Sequence, residues 1–221
     1  MNFPLRCMLT LAYAFAAVAI GATASAADMS KVLGSVRVEA GQTADDVSTV
    51  NGSATVGTDA RAGTVETVNG SIRIHARAVV ESAETVNGGV TVEEGAEVRG
   101  DVETVNGEIE LRPGARVGGA VSNVNGDMEL DGATVANGLS TVNADIRIGR
   151  GSRVAGGIRI EENGGNGWFR RGRDEHRPRI TIEQGAVVEG PLRFEREVDL
   201  YVAPGVTLPR VEGVEPRRHD L

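Results

Sequence analysis

Apolar residues alternate with polar ones in short runs along most of this chain. Ile72 and Ile74, Val90 and Val92, Ile109 and Leu111, Met128 and Leu130, and Ile146 and Ile148 are five such pairs. After a short turn, often ending in Gly, comes a small-x-apolar pair: Ala78 and Val80, Ala96 and Val98, Ala115 and Val117, Ala133 and Val135, Ser152 and Val154. A third apolar position follows at Val102, Val121, Leu139 and Ile158. Alternation with a period of two marks a strand with one buried face. No segment after residue 27 keeps the three-and-four spacing of an amphipathic helix. Three short strands joined by turns therefore predict one three-sided coil.

The coils are counted by a tetrapeptide. Thr-Val-Asn-Gly or a near copy stands at Thr49–Gly52, Thr67–Gly70, Thr85–Gly88, Thr104–Gly107, Asn123–Gly126 and Thr141–Ala144, each 18 or 19 residues after the last. A fixed period this short is the signature of a repeat architecture, in which a unit that cannot bury its own apolar face stacks on its neighbours. The register starts near Leu33 with Gly34, Val36 and Val38, and resumes late in the chain at Ile180, Ile182, Ala186, Val188 and Leu192. A last partial coil uses Leu200, Val202, Val206 and Leu208. The prediction is an all-β, single-stranded, three-sided β-solenoid of about nine coils of 18–19 residues, right-handed winding favoured. At a strand spacing of about 4.8 Å it would be a rod roughly 40 Å long.

Composition fits a narrow core. No Phe, Tyr or Trp occurs between Leu33 and Asn163, and β-branched residues suit a core fed by converging strands. Asn51, Asn69, Asn87, Asn106, Asn125 and Asn143 are expected to stack at one corner as a structural ladder, each amide bonding the next. That reading is preferred to a row of polar groups binding a sugar or a metal. The Gly after each Asn is expected to take a positive φ.

The chain ends read differently. Arg6, the apolar run Met8 to Ile20 and the small residues Ala24-Ser25-Ala26 read as a secretory signal over residues 1–26. The solenoid domain is then 27–208, and 209–221 is a polar C-terminal tail with a proline at Pro216. Cys7, the sole cysteine, lies within the signal, so the mature chain would have no disulfide, thiol nucleophile or cysteine metal site. The protein is expected to be exported, periplasmic or at the cell surface, with no transmembrane segment after signal cleavage. A formal charge of −8 argues against nucleic acid as a partner.

One insertion breaks the repeat. Residues 165–179 carry Arg170, Arg171, Arg173, Arg177 and Arg179 against Asp174 and Glu175, a balance of five minus two, or +3. They also hold Trp168, the only tryptophan, beside Phe169. Insertions in solenoids map to one face, often the binding face. Trp168, Phe169, Arg170, Arg171 and Arg173 are thus the candidate binding residues, for an anionic glycan or another envelope component. The plainer reading is a solvated loop.

Catalytic signals are thin. His75, His176 and His219 are scattered, and no His or Cys cluster offers a metal cage, so no catalytic residue, metal or cofactor is assigned. Glu108 and Glu110, with Asp127 and Glu129, should align in adjacent coils, and paired carboxylates can do acid–base work. They support the alternative of a carbohydrate-active enzyme, a polysaccharide lyase or hydrolase. Arg73 and Arg147 on the same column favour a solvated face instead.

The unit Val-Asn-Gly-x-Ile-x-Ile of Val68–Ile74, repeated with variation from Val86, Val105, Val124 and Val142, resembles a bacterial adhesin-type β-solenoid domain of unknown function. It is also similar to the bactofilins, polymer-forming β-helical scaffold proteins. The resemblance covers about Leu33 to Leu208. It implies a non-enzymatic structural or adhesin-like scaffold that self-associates through its rod ends. Bactofilins are typically cytoplasmic, whereas the signal here places such a scaffold in the cell envelope.

Overall fold

The computed structural model describes residues 28–162 and 177–221, and every regular element in them is a β-strand. The chain winds as a parallel β-solenoid of three walls. The first wall takes the strand after each Asn-Gly step, as in Ile72–Ile74, Val90–Val92 and Ile109–Leu111. The second takes a two-residue strand such as Glu97–Val98 or Arg116–Val117, and the third runs into the next Asn-Gly, as in Val102–Asn106 and Val121–Asn125. In two coils the second and third walls form one nine-residue strand, Arg61–Asn69 and Val79–Asn87, which merges both walls into a 15-stranded sheet. The first wall is a separate 10-stranded sheet, so the rod has about ten turns, one more than the repeat count predicts.

Parallel pairing in constant register turns sequence positions into columns. Val36, Ala54, Ile72, Val90, Ile109, Met128, Ile146, Ile180 and Leu200 follow one another up the first wall, all buried. Ile146 pairs with Ile180, so the register resumes after the insertion without a slip. Phe194 is the ring among the fully buried side chains; the position above it in the stack is Gly213, which leaves it room.

The turn between the first and second walls needs a left-handed residue in every coil. Gly41, Gly95, Gly114, Gly132, Gly151, Gly185 and Gly205 have φ between 66° and 83°, apart from Gly132 at 57°. Asp59 and Arg77 hold the same position with φ of 58° each. The glycines after the ladder asparagines differ from expectation: of Gly52, Gly70, Gly88, Gly107 and Gly126, only Gly126 has a positive φ, 111°. Their reason is contact between coils. A Cβ on Gly70, Gly88 or Gly107 would lie 2.0–2.1 Å from the carbonyl oxygen of the glycine one coil earlier.

Segment 209–221, expected as a tail, carries two further strands. Val211–Gly213 pairs with Leu192–Phe194, and Arg217–Asp220 with Asp199–Val202. Ladder bonds use backbone groups, so a polar sequence can close the stack. Tyr201 stacks on His219 at 4.5 Å, and the guanidinium of Arg179 lies 5.5 Å from the Tyr201 ring centre. Arg218 is in register with Leu200 at the top of the apolar column and is exposed. Charge on a terminal strand discourages a further strand from adding to it.

Candidate functional site

Three outward features are built by the coil register. The first is the asparagine corner. Nδ2 of Asn69 donates to Oδ1 of Asn51 at 3.0 Å, and the bond repeats from Asn87 to Asn69, Asn106 to Asn87, Asn125 to Asn106 and Asn143 to Asn125 at 2.9–3.1 Å. Beneath it, buried Thr49, Thr67, Thr85 and Thr104 each donate Oγ1–H to the glycine carbonyl of the preceding coil, at 2.9–3.0 Å. In the coil where Asn123 replaces threonine, its Nδ2 donates to Gly126 O at 2.6 Å, and its buried Oδ1 has no partner among the described residues. The ladder and the threonines tie coil to coil, whereas the Asn123 bond stays within its own coil.

The second feature is carboxylate columns. On the first wall Glu110 is in register with Glu129, as the spacing predicts. Each has a cation: Arg112 lies 2.7 Å from Glu110, and Arg147 bonds both Glu129 and Glu183. Burial, then the neighbouring Glu110, Asp127 and Glu129, pushes the Glu108 carboxyl up from its ordinary range. Glu108 and Glu110 line one end of a notch of about 260 Å³, with Gly89 and Thr91 as floor and Arg73 at the other end. Arg73 itself bonds Glu93 at 3.0 Å.

The third wall carries a second acidic column. Glu66, Glu84 and Glu103 stand in register in three successive coils, all half-buried. Burial, then Glu103, Glu66 and Asp101, pushes Glu84 up to about 7, and Glu66 moves the same way. The signal was present in the sequence, because each of these glutamates directly precedes a Thr-Val-Asn-Gly. What sequence alone did not reveal is that this outward column is half-buried.

The third feature is a groove of about 260 Å³ at the corner between the second and third walls. Asn137, Gly138, Ser140, Gly156, Gly157 and Pro191 line it, together with Arg159 and Arg193. The two arginines are in register; Arg159 lies 3.6 Å from Glu195, and Arg193 2.9 Å from Glu212.

The candidate binding residues Trp168, Phe169, Arg170, Arg171 and Arg173 lie outside the described residues, as does the 1–26 signal. Of the insertion's arginines, Arg177 is described and bonds Glu197 at 3.0 Å, and the Arg179 N–H donates to Asp145 Oδ1 at 2.8 Å. Among the described residues no group of three or more His, Cys, Asp or Glu side chains could hold a metal ion. Nor does any helix among them have the length and apolarity to cross a membrane. Compared with protein-family models, curated proteins and solved structures, the chain finds no match.

Proposed function

We propose that the protein is an exported, non-enzymatic rod, a structural or adhesin-like scaffold of the bacterial cell envelope that associates with further copies of itself. The observation that carries this reading is the contrast between the two rod ends. Among the described residues the first rung, Met29–Leu33 and Val36–Val38, has strand partners on one side only, and Val32 and Leu33 are exposed at 65% and 76%. An open edge with apolar residues is a template for another chain. The last rung carries exposed Arg217 and Arg218 and resists extension. Association through the first rung therefore fits better than growth from both ends. Envelope location rests on the signal read at residues 1–26, and the resemblance of the repeat unit to adhesin-type and bactofilin domains points the same way.

Light scattering after size exclusion of the chain from Ala27 onward, over a range of concentrations, tests this. Species larger than one chain that grow with concentration are expected, and Leu33→Glu should dissolve them. A single-chain mass at every concentration would remove self-association from the reading.

A second reading has one observation in its favour. Burial, then Glu110 and Asp127, raises the Glu108 carboxyl in a notch that also holds Arg73, which is an arrangement a carbohydrate-active enzyme could use. Release of new reducing ends or unsaturated sugars from acidic polysaccharide by the native chain, but not by Glu108→Gln, would favour it over the scaffold.

A further inference from the structure

The corner between the second and third walls repeats one backbone N–H per coil, and in three coils the protein caps it in the same way. Asp46 N–H is 3.5 Å from Asp28 Oδ1, Thr64 N–H donates to Asp46 Oδ1 at 2.9 Å, and Ala120 N–H donates to Asp101 Oδ1 at 2.7 Å. In each case the acceptor is a carboxylate from the coil before. Val121 is in register with Leu139, and Leu139 with Ile158, so Gly138 and Gly157 are the next two positions of this column. Their coil-before neighbours are Ala120 and Gly138, which carry no carboxylate. Both glycines are buried, and among the described residues neither N–H has an acceptor. Buried backbone donors without a partner are rare and costly. The next position, Pro191, has no N–H to satisfy, and the column closes at Arg210.

These two orphan donors line the groove of about 260 Å³ that Arg159 and Arg193 flank. Each arginine engages one glutamate and keeps further N–H donors, and their side chains are 44% and 48% exposed. Substituents at the two glycines are excluded by the stack: a Cβ on Gly138 would lie 2.7 Å from Gly157 O, and one on Gly157 2.2 Å from Pro191 O. The floor is therefore bare backbone, with Ser140 and Asn137 as polar side groups.

We infer that this groove binds a carboxylate-bearing sugar, a uronic-acid unit of an acidic polysaccharide, through the N–H groups of Gly138 and Gly157 and the guanidinium groups of Arg159 and Arg193. The carboxylate is favoured because the protein's own Asp46 and Asp101 occupy the equivalent places elsewhere in the column. A sugar is favoured over a peptide because Ser140 and Asn137 offer a hydroxyl and an amide to sugar hydroxyls, while the side chains of Leu139 and Ile158 are buried in the core. Donors one coil apart, at about 4.8 Å, can share one carboxylate or meet successive acidic units. The inference narrows the adhesin-like part of the reading above to a ligand class, and does not depend on self-association. Scattering decides the one, titration the other.

The test is a titration of the single-chain fraction with trigalacturonate, followed by calorimetry and by the amide signals of Gly138 and Gly157. The fully methyl-esterified trimer is the control, since it keeps the sugar and loses the charge. The acid should bind and move both glycine amides, and the ester should not. Ala120→Asp copies the Asp101 arrangement one coil on; its carboxylate should occupy the Gly138 N–H and weaken binding about tenfold or more. Arg159→Gln with Arg193→Gln should weaken it at least as much, which keeps the test open if Ala120→Asp does not fold. Absence of glycine shifts with the acid, equal binding of the ester, or binding unaffected by the folded variants would each overturn the inference.

Discussion

Nη1 of Arg196 donates to Oδ1 of Asn143 at 2.7 Å across 53 residues of sequence, and so terminates the asparagine ladder. The same nitrogen reaches Val142 O at 3.2 Å. A ladder of amides needs a donor for its last oxygen, and the coil after Asn143 supplies no asparagine in the described stack. Arg196→Ala should lower stability by about 1 kcal/mol, or about 2–4 °C in melting temperature for a chain of this size. Scanning calorimetry checks it; an unchanged melting temperature would mean the last rung of the ladder needs no cap.

Within the ladder, two adjacent substitutions should separate side-chain bonding from backbone contact. Asn87→Ala removes one bond to Asn69 and one from Asn106, and should cost about 1 kcal/mol because the corner is exposed. Gly88→Ala places a methyl 2.1 Å from Gly70 O, which already accepts from Thr85. Coils must then move apart, at about 1–3 kcal/mol. Chemical denaturation should rank Gly88→Ala as the worse of the two, and the reverse order would contradict the contact explanation for this glycine column.

Stability should depend on pH through Glu84. Its carboxyl is raised to about 7 in the fold against an ordinary 4.5, so between those values the folded chain holds a proton that the unfolded chain has lost. This contribution is therefore most favourable below about pH 4.5, declines as pH rises through the window, and is fully lost above about 7. Glu66, Glu108 and Glu161 are raised as well and act in the same direction. Melting should be higher at pH 5 than at pH 8. Glu84→Gln should flatten that slope and raise the pH 8 value by about 2–4 °C, part of the shift being screened by solvent. A native chain that melts higher at pH 8 than at pH 5 would refute the assignment.

Ser122 Oγ is buried with no partner among the described residues, in register between Glu103 and Ser140. An apolar replacement of nearly the same shape removes the desolvation cost of that hydroxyl. Ser122→Ala should leave stability unchanged or raise it by about 1 kcal/mol, and a loss of that size in a thermal melt would show that the hydroxyl is satisfied in solution.

The columns were legible in the sequence because a parallel solenoid adds one coil per period: whatever recurs at 18 or 19 residues must stack. That rule places Ile72 on Ala54 and Asn87 on Asn69 without any coordinates. It fails where the chemistry depends on the space between coils. The glycine after each Asn looks like a turn residue in sequence, yet Gly88 is set by the oxygen of Gly70. Glu84 reads as a solvated face residue until the corner half-covers it. Arg196 meets Asn143 only because the insertion leaves the register intact. The orphan donors at Gly138 and Gly157 were invisible for a simpler reason: what marks them is burial at positions where the coil before supplies no carboxylate.

Because each strand pairs only with its equivalents one coil away, no strand pairing braces the described rod along its length. Pulled from its two ends, it would yield one coil at a time. Each 18-residue coil that peels away releases about 60 Å of slack while the remaining stack stays whole. A tether built this way absorbs load gradually and can rewind when the load falls.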